Sequence, residues 1–192
     1  MKLLPTTARR VVAVAAAAVA GLAISTAAYA ATSADTAPTV APAIPTCTAS
    51  DIGAWVAIDQ GNGALGTIYY PLEFTNLSEH TCALFGYPGV SAVDGDGHQL
   101  GSPAGWGSLA GAQAVNLAPG ATAHTLLAYH DAVVTTEPGC DPVSVAVQLR
   151  IYLPDQYNTT YAAFALQVCS HAGPVYMSIA EPIVSGVGTI YG

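Results

Sequence analysis

The residues of this sequence best suited to contact a ligand are aromatic side chains on glycine-rich segments. Trp106 lies within a glycine-rich run at 101–111, and Tyr87 lies between Gly86 and Pro88. Tyr and Trp bury a large amphipathic area at low cost in conformational entropy, which suits contact with a protein or a sugar. Trp106 and Tyr87 are therefore our candidate ligand contacts. The alternatives are a Trp106 loop folded back over the domain and a packed Tyr87 whose hydroxyl is bonded to backbone.

Carboxylates on a second glycine-rich turn, Asp94 and Asp96, could hold a cation. An EF-hand loop would need an oxygen ligand in place of His98, a glycine in place of Gln99 and a glutamate in place of Gly105. Three defining positions fail, so we predict no metal site here, with weak calcium binding at an acidic surface as the alternative. Asp-Gly pairs instead favour a tight turn joining two strands.

Neither the histidines nor the serines show a catalytic spacing. No HExxH motif or close ligand pair is present, and the serine of Gly107-Ser108-Leu109-Ala110-Gly111 stands one position too early for a nucleophile elbow. A glycosidase pair among Asp131, Glu137 and Asp141 would depend on their separation in space. We predict no enzyme, no cofactor and no metal, with a secreted hydrolase as the last alternative. The histidines are His80, His98, His124, His130 and His171.

Charge and composition exclude several classes of protein. The 192 residues are 52% hydrophobic and 8% charged, which excludes a disordered chain. Twelve acids oppose four bases, and three of those bases precede residue 30. Without them, one base minus twelve acids gives a net charge of −11. So acidic a surface cannot neutralise phosphates, so we predict no nucleic-acid partner and no polybasic membrane contact.

The first thirty residues have the pattern of an export signal. Lys2, Arg9 and Arg10 precede an apolar stretch at 11–24, and Ala28-Tyr29-Ala30 supplies the small residues of a cleavage site. We predict a signal peptide at 1–30, cleavage after Ala30, and no stable membrane insertion afterwards. A retained anchor is the alternative. The mature protein is then secreted, either free or associated with the cell wall.

The remaining chain divides into a spacer and one domain. Thirteen of the sixteen residues at 31–46 are Ala, Thr, Pro or Ser, a composition typical of a disordered spacer. It would act either as a tether or as a simple tail. Residues 47–192 match the length of one domain.

The domain contains four cysteines, and an even number in an exported chain predicts two disulfides. Three pairings are open. We favour Cys47 with Cys82 and Cys140 with Cys169, because each bridge then closes a loop of about thirty residues in its own half of the domain. A zinc site would need closely paired ligands, and this sequence lacks them.

Hydrophobic residues recur with a period of two, as in half-buried strands. The clearest case alternates Val143, Val145, Val147, Leu149 and Ile151 with more polar residues, so we predict that these side chains face the core. Pro71 predicts a sheet edge or a bulge, and Trp55 is expected in the core. Strands are predicted at 52–58, 68–75, 82–85, 90–93, 114–117, 122–129, 143–152, 161–168 and 175–180. Nine short strands joined by Gly and Pro turns indicate an all-β protein, either an antiparallel sandwich or a barrel. We favour the sandwich, because the domain has roughly the length of an immunoglobulin-like domain.

Several runs resemble a known family. They are YPLEFTNLS at 70–78, TCALFGYPGV at 81–90, DGDGHQLG at 94–101, LAPGA at 117–121, CDPV at 140–143 and LRIYLP at 149–154. Together they are similar to the secreted actinobacterial domain of unknown function number 4232. The resemblance implies an immunoglobulin-like antiparallel β-sandwich, export and two disulfide bridges. It implies no established activity and supplies no catalytic residues.

Two of these runs also have a local interpretation. In GYPG, Gly86 and Gly89 should provide backbone angles that a side chain would forbid, with Pro88 fixing the angle between them. Residues 76–79 form a polar turn after an apolar strand, which predicts a hairpin with the strand beginning at Cys82.

The functional hypothesis is a secreted, acidic, non-catalytic interaction or cell-envelope module. Its partner would be an extracellular protein or a cell-wall glycan. A passive structural envelope protein is the main alternative, since it too needs no reactive groups.

Overall fold

A computed structural model describes residues 43–107, 111–136, 138–140 and 143–189. The predicted signal peptide and most of the predicted spacer lie outside the described residues. Within these ranges, no helix is both long enough and apolar enough to cross a membrane. The described chain forms twelve strands, a 3-10 turn at Ile58–Gln60 and one short helix, α1 (Asp131–Thr136). The strands are β1 (Ile52–Val56), β2 (Asn62–Ala64), β3 (Thr67–Asn76), β4 (Cys82–Phe85), β5 (Gly89–Val93), β6 (Gly105–Trp106), β7 (Ala114–Leu117), β8 (Thr122–Tyr129), β9 (Val143–Tyr152), β10 (Thr159–Cys169), β11 (Met177–Ile179) and β12 (Val184–Ser185).

The predicted all-β class is confirmed, and each of the nine predicted segments contains a strand. The short strands β2, β6 and β12 were not predicted, because two or three residues are too few to show a period. Helix α1 was also missed. Its six residues are shorter than the window in which a helical pattern becomes visible.

The strands form three sheets. The largest has the order β1-β3-β8-β11-β6, with β2 also paired to β3 and β12 to β8. A second sheet has the order β10-β9-β5, and β4 pairs with β7 in a third. All pairs are antiparallel except β11 with β6.

One hydrophobic cluster contains residues of all three sheets. The alternation of β8 and β10 buries every second side chain from Ala123 to Tyr129 and from Ala162 to Val168, as the period of two predicts. Its largest fully buried members include Leu72, Phe74, Leu84, Leu117, Leu127, Leu149, Ile151, Tyr176 and Ile183. Removal of this apolar surface from water is the main force that stabilises the domain.

The valines of β9 do not all face this core. Leu149 and Ile151 are buried as predicted, but Val145 and Val147 are 61% and 46% exposed, and Ala146 is buried in their place. The pairing of β9 with β10 shifts between Ala163 and Leu166, where three steps along β10 match two along β9. This irregularity accompanies the change of face. The prediction is therefore wrong for Val145 and Val147, and the Val143 side chain lies outside the described ones.

Pro71 lies inside the largest sheet rather than at its edge. Strand β3 is paired with β8 on one side and with both β1 and β2 on the other. Those two short strands pair with residues on either side of Pro71, whose carbonyl accepts a hydrogen bond from the Ala57 N–H at 2.9 Å. On this side of β3, the pairing with β1 and the pairing with β2 leave a gap at Pro71. The N–H that proline lacks is therefore not needed for a strand hydrogen bond there.

Two further predictions are wrong. Residues 76–81 do not close a hairpin, because β3 and β4 belong to different sheets. The buried Asn76 shapes this crossover: its amide donates to the carbonyls of His80 and Leu117, at 2.8 and 2.9 Å. Trp55 is 42% exposed, because it lies on the face of β1 turned away from the core.

Both favoured disulfides are present. Cys47 is bonded to Cys82 and Cys140 to Cys169, and all four residues are buried. The backbone before the first bridge is also ordered by pairing. Ala83 donates its N–H to the Pro45 carbonyl at 2.8 Å and accepts from the Cys47 N–H at 2.9 Å.

The loop at 94–104 covers β5. Its Leu100 and Ala104 N–H groups donate to the carbonyls of Ala92 and Val90, at 2.9 and 2.8 Å. Arg150, in the central strand β9, donates from Nη2 to Gln99 Oε1 at 2.9 Å. The loop is therefore held both to the strand edge and to the sheet face, and it leads directly into β6 and Trp106.

Candidate functional site

An aromatic cleft of about 220 Å³ lies where four segments of the chain meet. They are the end of β4, the corner between β4 and β5, strand β6, and the turn between β9 and β10. We call this site the aromatic cleft. Its lining residues are Phe85, Gly86, Tyr87, Trp106, Pro154 and Asp155.

The two predicted ligand contacts meet in this cleft. The rings of Tyr87 and Trp106 are stacked, with centroids 6.2 Å apart and planes inclined by 16°. Trp106 nevertheless remains 59% exposed. The stack therefore orients the indole and leaves most of it in solvent, although the loop that precedes Trp106 is bonded to β5.

Tyr87 is positioned by the corner between β4 and β5. Gly86 has a φ of 103°, in the region that favours glycine, and its carbonyl accepts the Ile183 N–H at 2.9 Å. The prediction of a forbidden backbone angle is confirmed at Gly86. It is wrong at Gly89, which has no positive φ and pairs with Tyr152 as the first residue of β5.

Trp106 is positioned by strand pairing. It is the last residue of β6 and lies opposite Ile179 of β11 in the parallel pair. The loop before it is bonded to β5 through Ala104, as described above. The indole thus projects from backbone that is fixed on two strands.

Phe85 and Asp155 complete the cleft, and the sequence did not single them out. Phe85 ends β4 opposite Ala114 and is 46% exposed. Asp155 follows Pro154 in the β9–β10 turn with a φ of 57°, a conformation that aspartate tolerates better than most residues. Proline and aspartate are both common in turns. The proximity of Asp155 to Phe85, seventy positions earlier, comes only from the fold.

The chemistry of the cleft is simple. Three aromatic rings provide apolar surface, and among the described lining residues Asp155 is the one that carries a charge. An ionised carboxylate only accepts hydrogen bonds. The arrangement can therefore hold a ligand that offers both an apolar face and hydrogen-bond donors.

The DGDG segment forms the predicted tight turn. Asp94 Oδ1 accepts the N–H groups of Asp96 and His98, at 2.9 and 2.8 Å. The bond from the His98 N–H is the main cause that lowers the pKa of Asp94 below its ordinary value. Ligand atoms of Asp94, Asp96 and His98 all lie within 4.8 Å of one another on an exposed surface. Asp94 is already used in shaping the turn.

One histidine lies between two hydroxyl groups. His130 Nδ1 is 2.9 Å from Thr67 Oγ1, and its Nε2 is 3.1 Å from Ser178 Oγ. In a serine triad a carboxylate orients the base and stabilises the imidazolium. Here the corresponding group is the uncharged hydroxyl of Thr67. Of the acids considered for a glycosidase pair, Asp131 begins α1, and Glu137 and Asp141 lie outside the described residues.

A buried carboxylate lies on the opposite side of β3 from the core. Glu73 is 3% exposed, and its Oε1 accepts the Gly188 N–H at 2.7 Å. Its Oε2 has no hydrogen-bond partner among the described residues. Burial raises the pKa of Glu73, while the Gly188 N–H and His124 act in the opposite direction.

The segment at 181–189 covers this carboxylate. His124 is directly opposite Glu73 in the β3–β8 pair, and its Nδ1 is 2.8 Å from the Gly186 carbonyl. Its Nε2 lies 3.7 Å from Glu181 Oε1. Sequence reasoning missed this cluster, because Glu73 is 115 positions from the Gly188 that bonds it.

Comparisons with known proteins show a match to a protein family. Neither the curated proteins nor the solved structures include a match to the chain. A family model described as "Domain of unknown function (DUF4232)" matches residues 47–181, a span that contains both disulfides and every residue of the aromatic cleft. Because that span is well over half of the 192 residues, the chain belongs to the family described as Domain of unknown function (DUF4232).

Proposed function

We propose that this protein is a secreted, non-catalytic binding module and that the aromatic cleft holds its ligand. The observation that carries the proposal is the exposed stack of Trp106 on Tyr87. Single exposed hydrophobic residues are ordinary, but aromatic residues gathered at one concave site are typical of a contact surface. The partner is an extracellular protein or a cell-wall glycan.

The rigidity of the cleft supports this proposal. Phe85 and Trp106 lie on paired strands, and Tyr87 follows a glycine whose carbonyl is hydrogen-bonded. A ligand therefore finds the rings already ordered, and less entropy is lost on binding than with flexible loops. The same arrangement supplies contact area without any group that must react.

Export is supported by two independent features. The first thirty residues have the charge and hydropathy pattern of a signal peptide. The described cysteines are all paired, and structural disulfides persist mainly in oxidising compartments. Three mainly antiparallel sheets around one cluster support an immunoglobulin-like sandwich as the finer description of the fold.

The test is a thermal unfolding experiment on the full chain, expressed with its own leader in a secreting host and purified from the medium. Cell-wall glycan fragments and fractions of secreted protein are added in turn. A ligand of the native state raises the midpoint, and at one hundred times its Kd it stabilises by about 2.7 kcal/mol. We expect at least one addition to raise the midpoint.

Trp106→Ala should abolish that rise. Trp55→Ala is the matched control, because Trp55 is also a partly exposed tryptophan but lies outside the cleft. A rise that survives Trp106→Ala would remove the cleft from the proposal. No rise with any addition would favour the passive envelope protein.

A further inference from the structure

We infer that the ligand of the aromatic cleft is a neutral carbohydrate, one pyranose ring of which stacks on Trp106 while its hydroxyls donate to Asp155. The inference rests on the proposed function and adds the chemical class of the ligand. Three properties of the cleft carry it: the mutual orientation of its rings, the type of its polar group and its size.

The rings are oriented for a flat ligand. Tyr87 and Trp106 are inclined by only 16°, so their faces point in nearly the same direction. Recognition of a quaternary ammonium uses rings arranged as a cage around the cation. In a stack of near-parallel rings, the exposed ring instead offers one flat outer face, here that of Trp106. A pyranose offers the matching surface, a patch of C–H groups that packs against the negative face of an aromatic ring.

The polar group of the cleft favours ligands that donate hydrogen bonds. Asp155 is exposed and accepts hydrogen bonds without donating any when it is ionised. Sugar hydroxyls donate to carboxylates in short, charge-assisted bonds. A proline-rich peptide presents mainly carbonyl oxygens and lacks the N–H groups that a carboxylate would pair with. The hydrogen-bonding character of Asp155 therefore favours a polyol over such a peptide.

Charge narrows the class to neutral sugars. The chain after residue 30 contains Arg150 as its one Lys or Arg against twelve acids. Arg150 is absent from the cleft lining, and its guanidinium lies 5.8 Å from the Tyr152 ring centroid. A phosphorylated, sulfated or uronic sugar would meet Asp155 without a compensating cation in the lining.

The size of the cleft fits one ring of a longer chain. Its volume of about 220 Å³ is below the roughly 300–1,000 Å³ of pockets that enclose drug-sized ligands. Phe85 borders the same cleft and is 46% exposed. The neighbouring sugar units would therefore extend along the surface past Phe85 and Trp106.

The decisive experiment uses the fluorescence of a single indole. The chain has two tryptophans, so Trp55→Phe leaves Trp106 as the only one. The full chain carrying this substitution is titrated with neutral oligosaccharides (cellohexaose, maltohexaose, an N-acetylglucosamine tetramer and a galactan), with tetramethylammonium and with a proline-rich decapeptide. We expect a saturable change in Trp106 emission with at least one neutral oligosaccharide and with neither of the other probes.

Two further variants locate the contact, with binding measured by calorimetry. Trp106→Ala should weaken binding at least tenfold, and Asp155→Asn should weaken it about three- to tenfold, because the amide keeps the size of the side chain but loses the charge. Trp55→Ala should bind as the wild type does. Unchanged near-ultraviolet circular dichroism, apart from the indole removed, confirms that each variant is folded.

The outcomes separate this inference from the proposed function. Binding of the decapeptide or of tetramethylammonium, sensitive to Trp106→Ala, would leave the cleft a binding site and overturn the carbohydrate assignment. Oligosaccharide binding that survives both Trp106→Ala and Asp155→Asn would overturn the placement of the sugar. The absence of binding by every probe and by the additions tested above would overturn both proposals.

Discussion

The aromatic cleft and the surface beneath residues 181–189 depart from ordinary burial in opposite ways. At the cleft, two large apolar side chains, Phe85 and Trp106, are left 46% and 59% exposed. Under the C-terminal segment, a carboxylate, Glu73, is 97% buried, since 3% of it is exposed. Charged residues are rarely buried without a partner, and large aromatic residues are usually covered.

The difference lies in what covers each region. The chain itself supplies the cover of Glu73, through the Gly188 N–H and the Gly186 carbonyl on His124. Within the described part of the chain, the exposed surface of Trp106 has no such cover. The burial of Glu73 is explained by the fold itself, whereas the exposure of Trp106, which stacking and strand pairing organise, is the observation on which the binding proposal rests. This contrast teaches us to look for function in the cleft and for stability under the C-terminal segment.

Removal of a disulfide should have the largest effect on stability, and it should disturb both regions together. Replacement of either cystine by two alanines should lower the free energy of unfolding by about 3–4 kcal/mol, because the bridges span 35 and 29 residues and restrict the unfolded chain. Urea unfolding followed by circular dichroism measures this loss. If removal of each bridge lowers the free energy of unfolding by less than about 1 kcal/mol, the domain that contains both regions does not depend on the disulfides for its stability.

The second largest loss of stability should come from a change confined to the surface beneath residues 181–189. A Cβ at Gly188 would lie 2.6 Å from Pro71 Cβ and 2.7 Å from His124 Cδ2, so Gly188→Ala must displace the C-terminal segment. We expect a loss of about 1–3 kcal/mol, the usual cost of overpacking, with no change in binding at the cleft.

Gly95→Ala is its matched control, because a Cβ at Gly95 would meet nothing within 4 Å. Calorimetric unfolding of both variants makes the comparison. Equal midpoints for Gly188→Ala and Gly95→Ala would mean that the cover contributes nothing to stability.

The smallest expected effect is the dependence of stability on pH that Glu73 causes. Burial raises the pKa of Glu73 above its ordinary value near 4.5, so the folded state holds the proton more tightly than the unfolded state does. Between these two pKa values the folded state binds more protons, and stability therefore falls as the pH rises through that window. Glu73→Gln should remove this contribution and make the unfolding midpoint less dependent on pH there.

Glu79→Gln removes one negative charge at an exposed site and serves as the control. The quantity to compare is the slope of the midpoint against pH for the wild type and both variants. If Glu79→Gln flattens the slope as much as Glu73→Gln does, the effect belongs to net charge and not to the buried carboxylate.

Features that depend on the local backbone could be predicted from the sequence, whereas features that depend on residues far away in the sequence could not. Alternation placed β8 and β10 correctly, because the side-chain period depends only on the local backbone. It failed at Val145 and Val147, because the shift between Ala163 and Leu166 depends on the partner strand. Trp55 was misplaced for a similar reason: its hydrophobicity is local, but which face of β1 is buried depends on the sheet.

The candidate site divides in the same way. Tyr87 and Trp106 were recognisable from their own glycine-rich surroundings. Phe85 and Asp155 carry no such local signal, since a phenylalanine at a strand end and an aspartate in a turn are ordinary there. Only the fold, which brings the end of β4 close to the β9–β10 turn, makes Phe85 and Asp155 line the same cleft.

The position of Arg150 determines how readily trypsin-like proteases can cut the domain. Proteases that cut after lysine or arginine need an extended, accessible segment, and they find it most often at loop tips. After the predicted signal peptide, Arg150 is the one such residue, and it lies within the central strand β9, paired with Tyr161 of β10 and Ser91 of β5. Cleavage there requires β9 to separate from both neighbours, so resistance to trypsin-like enzymes follows the stability of the folded domain itself.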